Sequence, residues 1–276
     1  MGGPELGGAG MGAEDGQSGA EWKRAVTRGW ARPAVRGGKA LLRGALDLIL
    51  PSQTLDGETA VGAQGLSAEA WMRIHFLDGP VCDGCGAPYD YDPGRGVRCG
   101  PCMARPRAFD AARAACLYDE TSREPILKLK HADRTDLAPM FARWLSRAAA
   151  ELIAEADAIA PVPLHPLRLL RRRYNQAAEV ARPLARLSGL AYLPDALVRR
   201  RATESQGGKS GAHRKRNVAG AFHVPERRRP QVAGRRILLI DDVMTTGATA
   251  EGCSRALKQA GAARVDVAVI ARVKEA

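Results

Sequence analysis

The sequence predicts an α/β fold: a mainly parallel sheet flanked by helices, with a small cysteine-built module ahead of it. Three observations carry that expectation. From Asp157 onward, strand-length apolar runs alternate with loops and helix-forming stretches, ending in the run 264–270. The apolar run 237–240 stops at two adjacent carboxylates, Asp241 and Asp242, followed by a Thr/Gly turn and a helix-forming stretch at 250–260. Upstream stand two Cys-x-x-Cys pairs, Cys82/Cys85 and Cys99/Cys102.

The chain has 276 residues, enough for one good-sized domain and a smaller one. Apolar residues make up 45% and aromatic residues 5%, so the core is expected to be mostly aliphatic. The formal charge of +12 suits a polyanionic partner: nucleic acid, a phosphorylated ligand or an anionic membrane surface. An Arg-favouring composition would produce the same balance. Residues 1–20 are Gly-rich without the apolar stretch of a signal peptide, and disorder is expected there. No apolar run reaches bilayer length, so a cytoplasmic location is expected. A reducing compartment disfavours disulfides among the six cysteines and leaves metal binding or core packing.

Residues 21–38 are basic and contain Trp22 and Trp30, so residues 1–38 are expected to be a disordered or basic N-terminal extension. At 39–50, Leu41, Leu42, Ala45, Leu46, Ile49 and Leu50 fall on one helical stripe that Pro51 ends. That amphipathic helix would pack on the rest of the protein or touch a partner or membrane surface. A helical patch is expected at 67–76, and the helix and the cysteine module together would span 39–109. Two knuckles this close can present Cys82, Cys85, Cys99 and Cys102 tetrahedrally, with glycines allowing the tight turns. Four sulfurs leave no open position for chemistry, so the site reads as a structural zinc ribbon, one zinc per chain. Such a zinc contributes on the order of 10–16 kcal/mol, enough to fold a module with little core. Redox pairs are the competing reading. Cys116 and Cys253 stand in apolar surroundings and are expected to be packed.

The second domain is expected at 110–276. A strand at 110–119 leads into it. Leu137, Met140, Phe141, Trp144, Leu145, Ala148 and Leu152 then form a helical core stripe with Asp136 as its N-cap. A short strand at 157–162 follows. In the central turn, the run 237–240 has the composition of a strand buried on both faces. A helix N-terminus binds phosphate through free N–H groups, and Gly247 lets backbone approach closely. Asp241 and Asp242 can accept hydrogen bonds from vicinal hydroxyls. Together they describe a pocket for a ribose carrying a phosphate; an ordinary Thr-capped strand-to-helix turn is the plainer alternative.

Asp241-Asp242-Val243-Met244-Thr245-Thr246-Gly247-Ala248-Thr249 resembles the phosphoribosyl pyrophosphate (PRPP) loop of type I phosphoribosyltransferases. Three further segments match in order: Pro161-Val162-Pro163-Leu164-His165; Arg168 through Tyr174-Asn175-Gln176; and Ser205-Gln206 with Ser210, Arg214, Asn217 and Phe222 beyond. With the zinc ribbon, the chain resembles the ComF family, a competence-associated group joining such a ribbon to a phosphoribosyltransferase-like domain. The resemblance covers roughly residues 39–274.

The resemblance implies roles. Asp241 and Asp242 would hold the ribose 2′- and 3′-hydroxyls, also serving as the catalytic carboxylates of an active enzyme. Thr245, Thr246, Gly247, Ala248 and Thr249 would wrap the 5′-phosphate. Val162, Pro163, Leu164 and His165 would form the pyrophosphate loop, His165 either donating to phosphate or shaping the loop. Lys209, Arg214 and Arg216 would belong to a hood loop closing over the ligand, with Mg²⁺ bound alongside PRPP. Two features depart from the family: the upstream cysteine knuckles are missing, and Lys209 and Arg173 replace an apolar residue and a common Gly. The implied function is DNA uptake through single-stranded DNA handling, with a competence helicase as a further partner. The alternatives are an active phosphoribosyltransferase acting on an unidentified base, and a non-catalytic PRPP sensor.

Overall fold

The computed structural model describes residues 65–131, 134–165, 169, 173–200 and 220–274. The expected helix at 39–50, the basic stretch 21–38 and most of the segment 199–217 lie outside these residues. Among the described residues no helix is long and apolar enough to cross a membrane.

Helix α1 (Ala68–Met72) is capped by Ser67, whose hydroxyl accepts the Ala70 N–H at 3.1 Å. It is shorter than the expected patch at 67–76, because Phe76 leaves the helical path to bridge Cys116. The cysteine module follows and ends in α2 (Gly100–Ala104), with Cys99 at its N-cap and a proline in its first turn. Strand β1 (Ala112–Leu117) then enters the sheet and leads to α3 (Glu120–His131).

A 3₁₀ turn, Thr135–Leu137, precedes α4 (Ala138–Ala148) and α5 (Ala150–Glu155). Here the expected N-cap is corrected. Asp136 sits inside the 3₁₀ turn and its carboxylate takes two bonds from Arg134, both at 2.9 Å. A bidentate guanidinium outcompetes a backbone N–H for that carboxylate. The apolar stripe itself is core: Phe141 and Leu145 are fully buried and Trp144 is 5% exposed.

Strand β2 (Ala158–Pro161), α6 (Gln176–Ser188) and β3 (Ala191–Tyr192) form one crossover unit. Short strands β4 (Val198–Arg199) and β5 (Phe222–His223) pair antiparallel, and α7 (Arg229–Val232) leads onward. The last unit is β6 (Arg236–Met244), α8 (Ala248–Gln259) and β7 (Arg264–Arg272).

The sheet runs β1-β7-β6-β2-β3 with every pair parallel. Alternation along β6 divides its apolar run between two cores. Ile237 and Leu239 pack with Cys253 and Leu257 of α8, while Leu238 and Ile240 pack with Phe141 and Leu145 of α4 and Leu184 of α6. Cys116 and Cys253 are fully buried, as expected of packed thiols. From β6 the chain crosses to β7 on one side; from β2 it crosses to β3 on the other. The connecting helices α8 and α6 lie on opposite faces. A crevice at the carboxyl ends of β2 and β6 follows from that reversal.

Candidate functional site

The crevice begins where β2 and β6 part. Their pairing ends at Pro161 opposite Ile240, with one further bond from the Val162 N–H to the Ile240 carbonyl at 2.8 Å. Strand β6 stays paired to β7 as far as Met244 opposite Arg272. Asp241 and Asp242 are therefore residues of the strand rather than of the turn after it. They sit at its half-open end, supported by β7 on one side only.

The two carboxylates fold back on the backbone. Asp241 Oδ1 accepts the Asp242 N–H at 2.9 Å, and Asp242 Oδ1 accepts the Val243 N–H at 2.5 Å. Burial, followed by the neighbouring Asp242 charge, pushes Asp241 up to about 7; Lys130 and Arg199 pull the other way. Lys130, on the last turn of α3, places its Nζ 3.2 Å from Asp242 Oδ2.

Beyond them, Thr245 is exposed, Thr246 half-buried and Gly247 buried. Gly247 is the N-cap of α8 with φ at 74°, a left-handed conformation in which a side chain would be strained. Gly247 has no side chain with which to cap this helix; the Glu251 N–H bonds the Gly247 carbonyl at 2.8 Å, and the N–H groups of Ala248, Thr249 and Ala250 come before the first intrahelical bond.

Across the crevice, Val162 and Pro163 are buried and Leu164 and His165 half-buried. Asn175 holds this loop: it caps α6 by accepting the Ala177 N–H at 3.2 Å and donates through Nδ2 to the Val162 carbonyl at 2.9 Å. Its neighbours reach α3, with the Tyr174 hydroxyl donating to the Leu129 carbonyl at 2.5 Å and Gln176 Nε2 to the Lys130 carbonyl at 3.3 Å. Arg173 has φ at 66°. The backbone here demands the left-handed region, and this chain meets the demand with a residue that resists it.

Lys209, Arg214 and Arg216 lie outside the described residues. The strands on either side of that segment are joined, with Arg199 opposite Phe222 and the Arg200 N–H bonded to the Ala221 carbonyl at 2.8 Å. The Arg199 guanidinium carbon lies 5.3 Å from the Phe222 ring centroid. Phe222 in turn packs in the same core as Cys253 and Leu257 of α8.

Cys82, Cys85, Cys99 and Cys102 converge, with all four sulfurs within 4.8 Å of one another. Cys85 Sγ and Cys99 Sγ are 3.7 Å apart. A tetrahedron with Zn–S bonds of about 2.3 Å has edges of about 3.8 Å, so this sulfur set fits such an ion. Burial raises the Cys82 thiol, but N–H donors from Cys99 and Cys85 outweigh it and bring it down to about 6. The four cysteines could hold a metal such as zinc, as a closed site with no open position.

The knuckles are seated on the α/β domain. Gly86 has φ at 68°, and a Cβ there would stand 2.5 Å from the Ala112 carbonyl oxygen, so only glycine permits the crossing over β1. Arg272, at the end of β7, donates to the Cys85 carbonyl at 2.5 Å. Arg107, just past α2, donates to the Thr246 carbonyl at 3.1 Å and to Glu251 Oε1 at 3.0 Å. Its charge also interacts with the nearby Cys102 thiol. One side chain thus joins the cysteine cluster, the Thr/Gly turn and the first turn of α8. Sequence reading missed Arg107, Glu251 and Lys130. Nothing local marks them, because each partner is distant in the chain. The Tyr174-Asn175-Gln176 motif was visible without its role.

Comparisons with known proteins agree with this architecture. The family model for the phosphoribosyl transferase domain matches residues 174–276. The chain is 30% identical to the DNA utilization protein YhgH of Escherichia coli strain K12 over 218 residues, covering 77% of this chain and 92% of that protein. It is 29% identical to competence protein F of Haemophilus influenzae over 221 residues, 78% and 94% of the two chains. A shorter match, 57% identical over 42 residues, is to orotate phosphoribosyltransferase of a Nocardioides species and covers 15% of this chain and 23% of that one.

Proposed function

The chain belongs to the ComF family of competence and DNA utilization proteins, and we propose that it binds PRPP or a related phosphoribosyl ligand and acts in DNA uptake through single-stranded DNA handling. The observation that carries the ligand reading is the reversal of connections between β2 and β6. It sets the carboxyl ends of β2 and β6 side by side at the point where the connections diverge, which supports a shared crevice for Asp241 and Asp242, the start of α8 and the Val162–His165 loop.

In this reading Asp241 and Asp242 accept the ribose hydroxyls. Thr245, Thr246, Gly247, Ala248 and Thr249 surround the 5′-phosphate, and the α8 N-terminus supplies donors with its dipole. The Val162, Pro163, Leu164 and His165 backbone faces the diphosphate, while Lys209, Arg214 and Arg216, in the sequence between β4 and β5, supply countercharge. Mg²⁺ would neutralise the diphosphate when the ligand is bound. Zinc at Cys82, Cys85, Cys99 and Cys102 is structural. The charge of +12 supports contact with DNA phosphates, a binding mode that weakens log-linearly with salt.

Titration calorimetry with PRPP tests the ligand. Asp241→Asn with Asp242→Asn is expected to abolish binding while the fold persists; unchanged affinity would overturn the assignment. The DNA role fails if the protein shows no single-stranded DNA binding at about 50 mM salt. The local match to orotate phosphoribosyltransferase favours a second reading, an active transferase, which pyrophosphate release from PRPP with free bases and Mg²⁺ would reveal.

A further inference from the structure

Three consecutive side chains tie separate pieces of the crevice together. Asn175 fixes the loop after β2 through the Val162 carbonyl, at 2.9 Å. Tyr174 and Gln176 fix the end of α3 through the Leu129 and Lys130 carbonyls, at 2.5 and 3.3 Å. The last carbonyls of a helix lack intrahelical donors, and here a distant segment supplies them. Leu129 is fully buried and anchors the same turn in the core. The backbone of Lys130 is therefore held between two fixed points.

Its side chain is equally constrained. Lys130 Nζ stands 3.2 Å from Asp242 Oδ2, and the two side chains are only 17% and 18% exposed. Asp241 lies next door and is held by the same charge. Two adjacent carboxylates on their own would repel a ligand carrying several phosphate charges, most strongly where water is partly excluded. An ammonium has three donors; Asp242 takes one and leaves capacity for further acceptors. A flexible surface lysine would satisfy none of these observations, because it would need neither the carbonyl clamp nor the burial.

We propose that Lys130 is a ligand-binding residue of this crevice: clamped by Tyr174 and Gln176, its ammonium neutralises Asp242 in the free protein and donates to an anionic oxygen of the bound phosphorylated sugar. This rests on the reading that the crevice takes a phosphoribosyl ligand. Lys130 thereby supplies, from the protein, part of the countercharge otherwise left to Mg²⁺.

The test is PRPP calorimetry on wild-type protein and Lys130→Met across a Mg²⁺ series, with melting temperature measured in parallel. A charge-assisted hydrogen bond implies a loss of roughly 10-fold to 100-fold in affinity. The loss should be greatest at low Mg²⁺ and shrink as Mg²⁺ rises, with Lys130→Arg recovering most of it. If Lys130→Met binds PRPP within about twofold of wild type at every Mg²⁺ concentration, the pair is structural and the inference is overturned. A uniform loss that tracks the fall in melting temperature, with no Mg²⁺ dependence, overturns it too. Should Lys130→Met unfold, Lys130→Gln, which keeps a hydrogen bond to Asp242, is judged by the same criteria. Wild-type protein that binds no PRPP removes the ligand reading itself and this inference with it.

Discussion

Replacing Arg107 with methionine tests whether the cysteine module braces the Thr/Gly turn. The side chain is 14% exposed and meets Glu251, itself 7% exposed. Removing one partner of a buried ion pair costs roughly 3–5 kcal/mol when the other is stranded. Glu251 is not stranded, since Arg255 remains at 3.2 Å and Arg105 at 3.9 Å. Those half-exposed partners reduce the electrostatic cost to about 1–2 kcal/mol. Loss of the bond to the Thr246 carbonyl adds about 1 kcal/mol. Methionine preserves most of the buried stem, so packing changes little. The expected total is about 2–3 kcal/mol, a fall in melting temperature of roughly 4–10 °C for a chain of this size. Urea denaturation reads the stability, and PRPP calorimetry reads the turn. Glu251→Gln is the control: it weakens the ion pair but leaves the Arg107–Thr246 bond, so stability should fall while ligand affinity holds. Equal affinity losses in both variants, or no change in Arg107→Met, would refute the brace.

Arg173→Gly should stabilise the protein. A left-handed non-glycine residue costs roughly 1–2 kcal/mol, glycine returns about 0.5–1 of that through unfolded-state entropy, and the exposed Arg173 side chain gives up little. A net gain of about 0.5–1 kcal/mol should raise the melting temperature by about 1–4 °C; a lower value would contradict the strain argument. The second expectation concerns pH. Because Asp241 titrates near 7 when folded and near 3.8 otherwise, the native state holds the extra proton between these values, and ligand-free stability should decline as pH rises through that window. Affinity for PRPP should move oppositely, strengthening as the carboxylate ionises; Asp241→Asn should flatten both trends, and a persisting slope would place their origin elsewhere.

Much of this was legible because it is local. An unbroken β-rich apolar run of strand length marked 237–240 as a strand buried on both faces, and adjacent carboxylates followed by Thr-Thr-Gly marked a polar turn before a helix. Knuckle spacing marked four thiols able to meet. Where local rules competed, sequence reasoning misplaced detail. Asp136 was a sound N-cap candidate until Arg134 claimed its carboxylate. The carboxylates Asp241 and Asp242 stand where the apolar run stops, and their polarity hides the continued pairing of β6 with β7 as far as Met244.

The sequence by itself determined the kind of chemistry available: which carboxylates, hydroxyls, glycines and thiols exist, and how each is presented by its own segment. Only the tertiary structure decided which of them share a crevice. The reversal between β2 and β6, the Lys130 countercharge from α3, and the Arg107 link from the cysteine cluster to the turn all join residues remote in the chain. Their energies arise from burial and proximity in three dimensions, and neither quantity is encoded in any local pattern.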